Sequence, residues 1–371
     1  MTTRRDFIKM ASSAGLVVSM PSFTFSQLKH STSNDPKGSS MIWANLLHLG
    51  TNMWEDHPYV KWAGVPETVY KDDFECKTCQ EAIVWALRCY RPFLVFDQFV
   101  WDSVLQNMAN AGMNMVVIDL GDAVKYESHP EIAVKNAWSR EKLRMKLDKI
   151  RKLGLEPIPK LNFATSHDAW LGEYARMVST KKYYEVCQDL ISEVIDIFDT
   201  PRFFHLGMDE ETPQHQISYN YAVIRQQDLW WDDLYFYIDE VEKRGVRAWI
   251  WSDYGWHHPE LFFKKMPKSV LQSNWYYGAG FDVNKLNETV KTYVKFYDDL
   301  EMHGYDQVPT GSNWSVDTNM EDTVEYCKMN IDPSRLQGFM TAPWLPTLST
   351  CMEKHLEAIA QIGHAKKRFY R

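Results

Sequence analysis

Short apolar runs alternate with longer amphipathic stretches along most of the chain. Several runs are nearly continuous, such as MNMVVIDLG at 113–121. That pattern is typical of strands buried on both faces of a parallel sheet. The pattern predicts eight strands, at 47–54, 113–121, 155–164, 203–210, 246–253, 270–278, 307–314 and 336–344.

Segments with helical periodicity separate these strands. The predicted helices are 97–111, 139–153, 181–198, 228–244, 259–265, 283–303, 320–329 and 351–367. Several end in a glycine just before the next strand, as in KLGLE and KRGVR, which is a helix-stop signal. Eight alternating units predict an α/β fold consisting of a single (β/α)8 TIM barrel. An open doubly wound sheet is the alternative, but no GxGxxG motif follows the first strand.

The N-terminal sequence indicates an export signal. Arg4 and Arg5 precede a mildly apolar stretch from about Met10 to Met20, which is too short to span a membrane and resembles a twin-arginine signal. An amphipathic N-terminal helix is the alternative. No later run of 18 apolar residues occurs, so no membrane association is expected after signal removal. We expect a periplasmic or otherwise exported protein composed of a signal (1–27), a Ser-rich linker (28–40) and the barrel domain (41–371).

The connection after the first predicted strand is unusually long. Residues 55 to about 96 are therefore interpreted as an insertion that covers the barrel mouth. The insertion contains a CKTC pair, Cys76 and Cys79, with Cys89 nearby. A zinc site is disfavoured because a second cysteine pair or well-spaced histidines would be needed. In an exported protein, a local disulfide among these three cysteines is the favoured interpretation.

Composition narrows the class of ligand. The 371 residues carry a formal net charge of -8, so no basic field is available to attract nucleic acid. Aromatic residues make up 14% of the chain, with 15 Trp and 19 Tyr, which is more than packing usually requires. Their flat amphipathic faces suit a neutral or modestly polar ligand.

In a (β/α)8 barrel the functional residues lie at the carboxyl ends of the strands. The fourth predicted strand runs directly into three acids in FFHLGMDEET (203–212), although carboxylates resist burial. A solvated strand-to-loop turn is one interpretation of these acids. The other predicted strand ends add Trp54, Glu55, Asp119, Asp122, Asn162, His167, Trp251, Asp253, Trp256, Trp275, Tyr276, Tyr277, Asn313, Trp314 and Trp344. Aromatic faces that stack on sugar rings, together with carboxylates that bind hydroxyls and donate protons, indicate a carbohydrate site.

The fourth strand end also carries a recognisable motif. HLGMDE (205–210) resembles the H-x-G-G-D-E signature at the same place in family 20 glycoside hydrolases, the β-N-acetylhexosaminidases, with Met208 replacing the second glycine. WSD (251–253) resembles the W-x-D of that family, and His167 resembles its acid-supporting histidine. The similarity spans residues 46–345, and the fourth-strand motif is its specific part. The resemblance implies a hydrolase that cleaves β-linked N-acetylhexosaminides.

The resemblance also implies roles for individual residues. Glu210 would be the general acid/base, and Asp209 would orient the 2-acetamido group of the substrate, whose oxygen attacks the anomeric carbon without a metal or cofactor. A charged Asp209 is expected to raise the pKa of Glu210. The family usually has a tyrosine at the seventh strand end, where this chain has GSNW, so Tyr276 or Tyr277 is the candidate substitute. The predicted substrate-binding residues are His167, His205, Trp251, Asp253, Trp275, Tyr276, Tyr277, Trp314 and Trp344.

Three other functions are compatible with the same residues. The first is a retaining glycosidase that uses Asp253, Asp119 or Glu211 as nucleophile. The second is a metal-dependent sugar isomerase or epimerase with ligands from His205, Asp209, Glu211 and His257. The third is a sugar-binding protein without catalysis.

Overall fold

The computed structural model describes residues 41–54, 62 and 64–370, and its centre is a parallel sheet. The eight strands of this sheet are β1 Ile42–His48, β2 Met115–Asp119, β3 Glu156–Lys160, β4 Phe203–His205, β5 Arg247–Trp251, β6 Leu271–Ser273, β7 Thr310–Gly311 and β8 Gly338–Thr341. Their order in the sheet is β6-β5-β4-β3-β2-β1-β8-β7. Parallel bridges from Gln272 to Gln307 and from Trp275 to Thr310 join the two remaining edges, so the sheet closes into a barrel.

A helix follows each strand. The longest helix after each strand is, in chain order, α1 Gln98–Asn110, α2 Arg140–Lys152, α3 Lys181–Ile197, α4 Asp228–Glu242, α5 Pro259–Lys265, α6 Glu288–Met302, α7 Asn319–Asn330 and α8 Met352–Phe369. Helix α2 illustrates why they form, because the Ser139 side chain accepts the backbone N–H of Lys142 at its start. The same helix buries Leu143, Leu147 and Ile150 on one face. The predicted (β/α)8 barrel is confirmed.

The first strand begins earlier than predicted. β1 spans Ile42–His48, whereas the sequence pattern favoured 47–54. Beyond the strand, the Asn52 amide donates to the backbone oxygen of Arg91 and to the Asp122 carboxylate, each at 2.8 Å. The polar residues after the apolar run therefore form a loop, and Trp54 lies in that loop.

Pairing register places a row of polar residues near the carboxyl ends of four adjacent strands. His48 pairs with Asp119, Asp119 with Lys160, and Lys160 with His205. Lys160 is fully buried and forms an ion pair with Asp119. An apolar cluster that includes Met115 fills much of the remaining barrel interior. Buried titratable residues are therefore located near the carboxyl ends of these strands, where functional residues of such barrels lie.

The long first connection is confirmed as an insertion. Its described part contains the helix Cys79–Ile83, which continues as a wider π-helical turn, Val84–Arg88. The buried Arg91 side chain donates to the backbone oxygen of Trp85 at 2.8 Å. The insertion is thus tied to itself by polar contacts as well as by apolar packing.

The predicted export signal and linker lie outside the described residues. Across the part of the chain that is described, no helix has both the length and the apolar character needed to cross a bilayer.

Candidate active site

The residues after β4 follow a tight path that aims two carboxylates into a pocket. Gly207, Met208 and Glu210 all have positive φ, at 73°, 75° and 56°. A Cβ at position 207 would lie 1.9 Å from Oδ1 of Asn162, so only glycine fits there. Met208 adopts a left-handed conformation that costs a non-glycine residue about 1–2 kcal/mol. Its backbone N–H donates to Oδ1 of Asn162 at 3.2 Å, which anchors the turn to the end of β3.

Asp209 and Glu210 share one histidine. Nε2 of His167 lies 3.3 Å from Oδ2 of Asp209 and 3.3 Å from Oε2 of Glu210. The Asn162 amide donates to the other oxygen of Asp209 at 2.7 Å. His215, five residues after Glu210, brings its Nε2 to 3.2 Å from Oε1 of that carboxylate. We call His167, Asp209, Glu210 and His215 the pocket cluster.

Burial and neighbouring charges shift the pKa values of this cluster in opposite directions. Burial would lower the pKa of His167, but the Asp209 and Glu210 carboxylates raise that pKa to about 10, so the ring is an imidazolium. Burial would raise the pKa of Asp209, yet His167 holds it below its ordinary value. The pKa of Glu210 is likewise held low, against burial, by His167 and His215. The expectation that Asp209 raises the pKa of Glu210 is wrong because two imidazoles outweigh one anionic neighbour.

Asp253, which follows β5, holds the backbone of Glu210. Its Oδ2 accepts the Glu210 N–H at 2.8 Å, and its Oδ1 accepts Nε1–H of Trp275 at 3.3 Å. Burial, followed by the charge on Asp209, raises the pKa of Asp253 to about 7. The site therefore combines two ionised carboxylates with a third that is partly protonated at neutral pH.

The pocket above these carboxylates has a volume of about 350 Å³, which is within the usual range for small-molecule sites. Its lining residues are Trp54, Trp62, Gln80, Ile83, Val84, Arg88, His167, Asp209, Glu210, His215, Trp275, Tyr277, Trp314 and Trp344. The Tyr277 and Trp275 rings stack with centroids 5.0 Å apart. The Tyr277 hydroxyl oxygen accepts Nε1–H of Trp344 at 3.0 Å. The pocket therefore combines aromatic rings with the titratable groups of the pocket cluster.

Seven of the eleven residues predicted for the site line the pocket, namely His167, Asp209, Glu210, Trp275, Tyr277, Trp314 and Trp344. His205, Trp251, Asp253 and Tyr276 are not among the lining residues. His205 is fully buried, with its ring centroid 4.7 Å from that of Trp251. The Tyr276 hydroxyl turns away and donates to the backbone oxygen of Ala279 at 3.2 Å. Of the two candidate substitutes for the family tyrosine, only Tyr277 reaches the pocket.

Six lining residues were missed from the sequence, namely Trp62, Gln80, Ile83, Val84, Arg88 and His215. His215 follows Glu210 by five positions in the same loop, and that proximity is the only signal that could have found it. Trp62 and Arg88 belong to the long first connection, whose length alone marked it as a cover. The Arg88 guanidinium lies 4.5 Å from the ring centroids of both Trp54 and Trp62. These residues are brought to the site by tertiary packing.

Two of the alternative nucleophiles are engaged elsewhere. Glu211 is buried, and its Oε1 accepts Nε–H of Arg225 at 3.0 Å. Asp119 is paired with Lys160 inside the barrel. Neither carboxylate lines the pocket. Asp253 is the remaining candidate of the three, and its raised pKa makes it a weak nucleophile below pH 7.

The metal-ligand set considered from the sequence does not form one cluster. Among the described residues, the group of three potential ligand atoms within 4.8 Å of one another consists of His167, Asp209 and Glu210. His205 is buried against Trp251, and Glu211 is bound to Arg225. Of the four residues in the metal-ligand set considered from the sequence, Asp209 alone belongs to this group.

A scan against protein-family models and a search of curated proteins give no match. Solved structures do share the fold. A family 20 exo-β-N-acetylglucosaminidase from Vibrio harveyi, in complex with N-acetylglucosamine, is 15% identical with a TM-score of 0.51, covering 73% of this chain and 52% of that chain. A β-N-acetylhexosaminidase from Bacteroides fragilis is 11% identical with a TM-score of 0.51, covering 86% of this chain and 65% of that chain.

A mutant β-hexosaminidase from Streptomyces plicatus in complex with its product is similar to the same degree. It is 13% identical with a TM-score of 0.52, covering 71% of this chain and 60% of that chain. This chain therefore spans between about half and two thirds of the length of these three proteins. The likeness establishes the (β/α)8 barrel fold.

Proposed function

We propose that the protein is a glycoside hydrolase that cleaves β-linked N-acetylhexosaminides. The observation that carries this proposal is the Asp209–Glu210 pair, which shares His167 at the carboxyl end of β4 inside an aromatic pocket. The substrate class is supported by the fourth-strand motif. It is also supported by the Vibrio harveyi enzyme of the same fold, which is described as an exo-β-N-acetylglucosaminidase bound to N-acetylglucosamine.

The aromatic wall supplies the binding energy for a sugar ring. Trp275, Trp314 and Trp344 offer flat faces to the C–H groups of a pyranose, and Tyr277 and His215 add polar groups. Such a wall binds a neutral sugar without requiring a strong electrostatic field. The net charge of -8 does not oppose a neutral ligand.

Glu210 is the proposed general acid, so it must first carry a proton. Its carboxylate lies 3.2 Å from the imidazole of His215, whose side chain is 43% exposed to solvent. A sugar that fills the pocket displaces water. The loss of water destabilises the ion pair of anionic Glu210 and protonated His215 more than it destabilises the neutral acid beside the neutral imidazole. His215 then transfers its proton to Glu210, which donates it to the glycosidic oxygen as the C–O bond breaks.

Asp209 and Tyr277 are the proposed partners of the acetamido group. The carbonyl oxygen of that group attacks the anomeric carbon, which leaves a cyclic oxazolinium ion while the alcohol departs with the proton from Glu210. Asp209, held anionic by His167, accepts the acetamido N–H and stabilises the positive charge. The Tyr277 hydroxyl accepts from Trp344 and retains its own proton for the acetamido oxygen. Water that is deprotonated by Glu210 then opens the ring.

Hydrolysis of paired substrates tests the proposal. We expect the purified protein to release the aryl group from an aryl β-N-acetylglucosaminide at least about 100-fold faster than from the matching β-glucoside, which lacks the acetamido group. A chelator should leave this activity unchanged. Release at equal rates from both substrates would indicate an enzymic nucleophile such as Asp253. No release from either, with folded protein, would exclude simple exo-hydrolysis of these glycosides.

We also propose that residues 1–27 direct twin-arginine export. The support is the pair Arg4 and Arg5 followed by a short apolar stretch. Replacement of both arginines by lysine should retain the protein in the cytoplasm of the producing cell. Cell fractionation measures this, and unchanged export of the double variant would contradict the proposal.

A further inference from the structure

Cys79, in the insertion, lies close to a cysteine that is distant in sequence, Cys351. Sγ of Cys79 lies 2.6 Å from Sγ of Cys351, which is 272 positions further along the chain. The S–S bond of a disulfide is about 2.05 Å long. Cys351 is fully buried, and Cys79 is partly buried. The two sulfurs are therefore closer to bonding distance than to an ordinary packing contact.

The surroundings of the pair favour a disulfide over a metal site. Cys79 and Cys351 belong to a small apolar cluster with Met53, Ala82 and Leu345. Among the residues described, the three-ligand group within metal-binding distance is in the pocket and does not include these sulfurs. Two thiolates alone cannot complete the four-ligand shell of a structural zinc ion.

The local pairing expected from the sequence is not favoured by the packing. Cys89 lies in a different apolar cluster, with Val69 and Val84. Cys76 packs at the edge of the cluster that contains Cys79 and Cys351. The direct sulfur contact of Cys79 is with Cys351, which lies at the start of α8.

We infer that Cys79 and Cys351 form a disulfide that fastens the pocket-covering insertion to the connection between β8 and α8. The Cys79 thiolate attacks one sulfur of an external disulfide, either a small-molecule disulfide or a disulfide oxidoreductase, and releases one thiol. The Cys351 thiolate then attacks the Cys79 sulfur of the mixed disulfide and releases the second thiol. Two protons and two electrons thus pass from the protein to the oxidant.

This bond holds two walls of the pocket together. The segment that begins at Cys79 contributes Gln80, Ile83, Val84 and Arg88 to the pocket lining. The connection between β8 and Cys351 contributes Trp344 to the lining of the same pocket. The disulfide therefore stabilises the shape of the site whatever substrate enters it.

Peptide mapping of the wild-type protein tests this inference without a substrate or a substitution. The full chain is treated with oxidised glutathione, alkylated and digested without reduction. We expect a linked peptide pair that contains Cys79 and Cys351, with four free thiols remaining of the six cysteines. A Cys76–Cys79 link in folded protein, or six free thiols after oxidation, would overturn the inference.

Thermal unfolding of variants gives a second, independent test. Reduction should lower the melting temperature of the oxidised wild-type protein by on the order of 5–10 °C, because the disulfide closes a very long loop. Cys351→Ser should have a melting temperature that is insensitive to reductant. Cys76→Ser is the matched control, because it removes the other CKTC cysteine and should keep the full shift. If the reductant-dependent shift in melting temperature is lost in Cys76→Ser and kept in Cys351→Ser, the disulfide involves Cys76 and the inference is wrong. If reduction does not change the melting temperature of the wild type, no stabilising disulfide is present.

Discussion

Three consecutive acids follow β4, and the structure separates them into two charge clusters, one at the pocket and one fully buried. Asp209 and Glu210 face the pocket, where their partners are His167 and His215. Glu211 is bound instead to Arg225, whose Nη1 also lies 3.0 Å from Oδ2 of Asp233 on α4. We call Glu211, Arg225 and Asp233 the anchor cluster.

The two clusters differ in the kind of cation that neutralises the acids. The arginine guanidinium stays charged at physiological pH and presents its five N–H donors in a rigid, planar arrangement. The Arg225 guanidinium also donates to the backbone oxygen of Phe163 at 2.7 Å, so the anchor cluster is fully paired. Histidine, unlike arginine, can transfer its proton to a carboxylate partner, as proposed for His215 and Glu210. Arginine pairing makes an acid structural, whereas histidine pairing leaves an acid able to exchange a proton.

The largest expected effect is the loss of turnover in Glu210→Gln. The amide keeps the shape of the side chain but cannot donate a proton to the glycosidic oxygen. We expect kcat on an aryl β-N-acetylglucosaminide to fall by about 100 to 10,000-fold. The melting temperature should fall less than in Glu211→Gln, because the Glu210 side chain is 23% exposed and that of Glu211 is 2% exposed. Wild-type turnover in a folded Glu210→Gln protein would exclude Glu210 as the general acid.

The matched change one position later should have the opposite result. Glu211→Gln leaves Arg225 with an incompletely compensated buried charge, which typically costs about 3–5 kcal/mol. We expect that loss in the free energy of unfolding measured with denaturant. The folded fraction should retain most of its turnover. If Glu211→Gln is stable and inactive, the assignment of the two clusters is reversed.

The pH dependence of stability should originate in the pocket cluster. The pKa of His167 rises from about 6.5 in the unfolded chain to about 10 in the folded protein. The folded state therefore binds more protons between these values, and its stabilisation is complete below pH 6.5 and lost as pH rises to 10. We expect the free energy of unfolding of the wild type to decline across this range. His167→Gln should lack that part of the decline, and identical slopes in the two proteins would contradict the assigned charge.

The smallest expected effect concerns the turn that carries both clusters. Met208 is buried but has a φ of 75°, where the family motif has glycine. Met208→Gly and Met208→Ala both lose the side chain, but only glycine relieves the left-handed strain. We expect the glycine variant to be more stable than the alanine variant by about 1 kcal/mol in denaturant unfolding. An alanine variant of equal or greater stability would show that the turn is unstrained.

Most of the barrel could be predicted because its signals are local. Helix α2 was expected at 139–153 and spans Arg140–Lys152. The prediction is accurate because the serine cap and the apolar face are both encoded by residues within the helix or next to it. The first strand was predicted too late in the chain because the residues around Asn52 were included in it, although they follow the apolar run and form a loop. Strand lengths were generally overestimated, as at 203–210, where β4 ends at His205. Apolar character does not distinguish a strand from the buried turn that follows it.

The sequence determined by itself the eight alternating units and the place of Asp209 and Glu210 at a strand end, because periodicity and strand order depend on neighbouring residues. Asp209, Glu210 and His167 were expected in the site from the family resemblance, but only the tertiary structure decided that Glu211 binds Arg225, that His215 reaches Glu210 and that Cys351 meets Cys79. Glu210 and Glu211 are indistinguishable as residue types. Their burial, their partners and the direction of the pKa shift of Glu210 arise from groups distant in sequence. Electrostatic energies depend on distance and dielectric, and folding sets both.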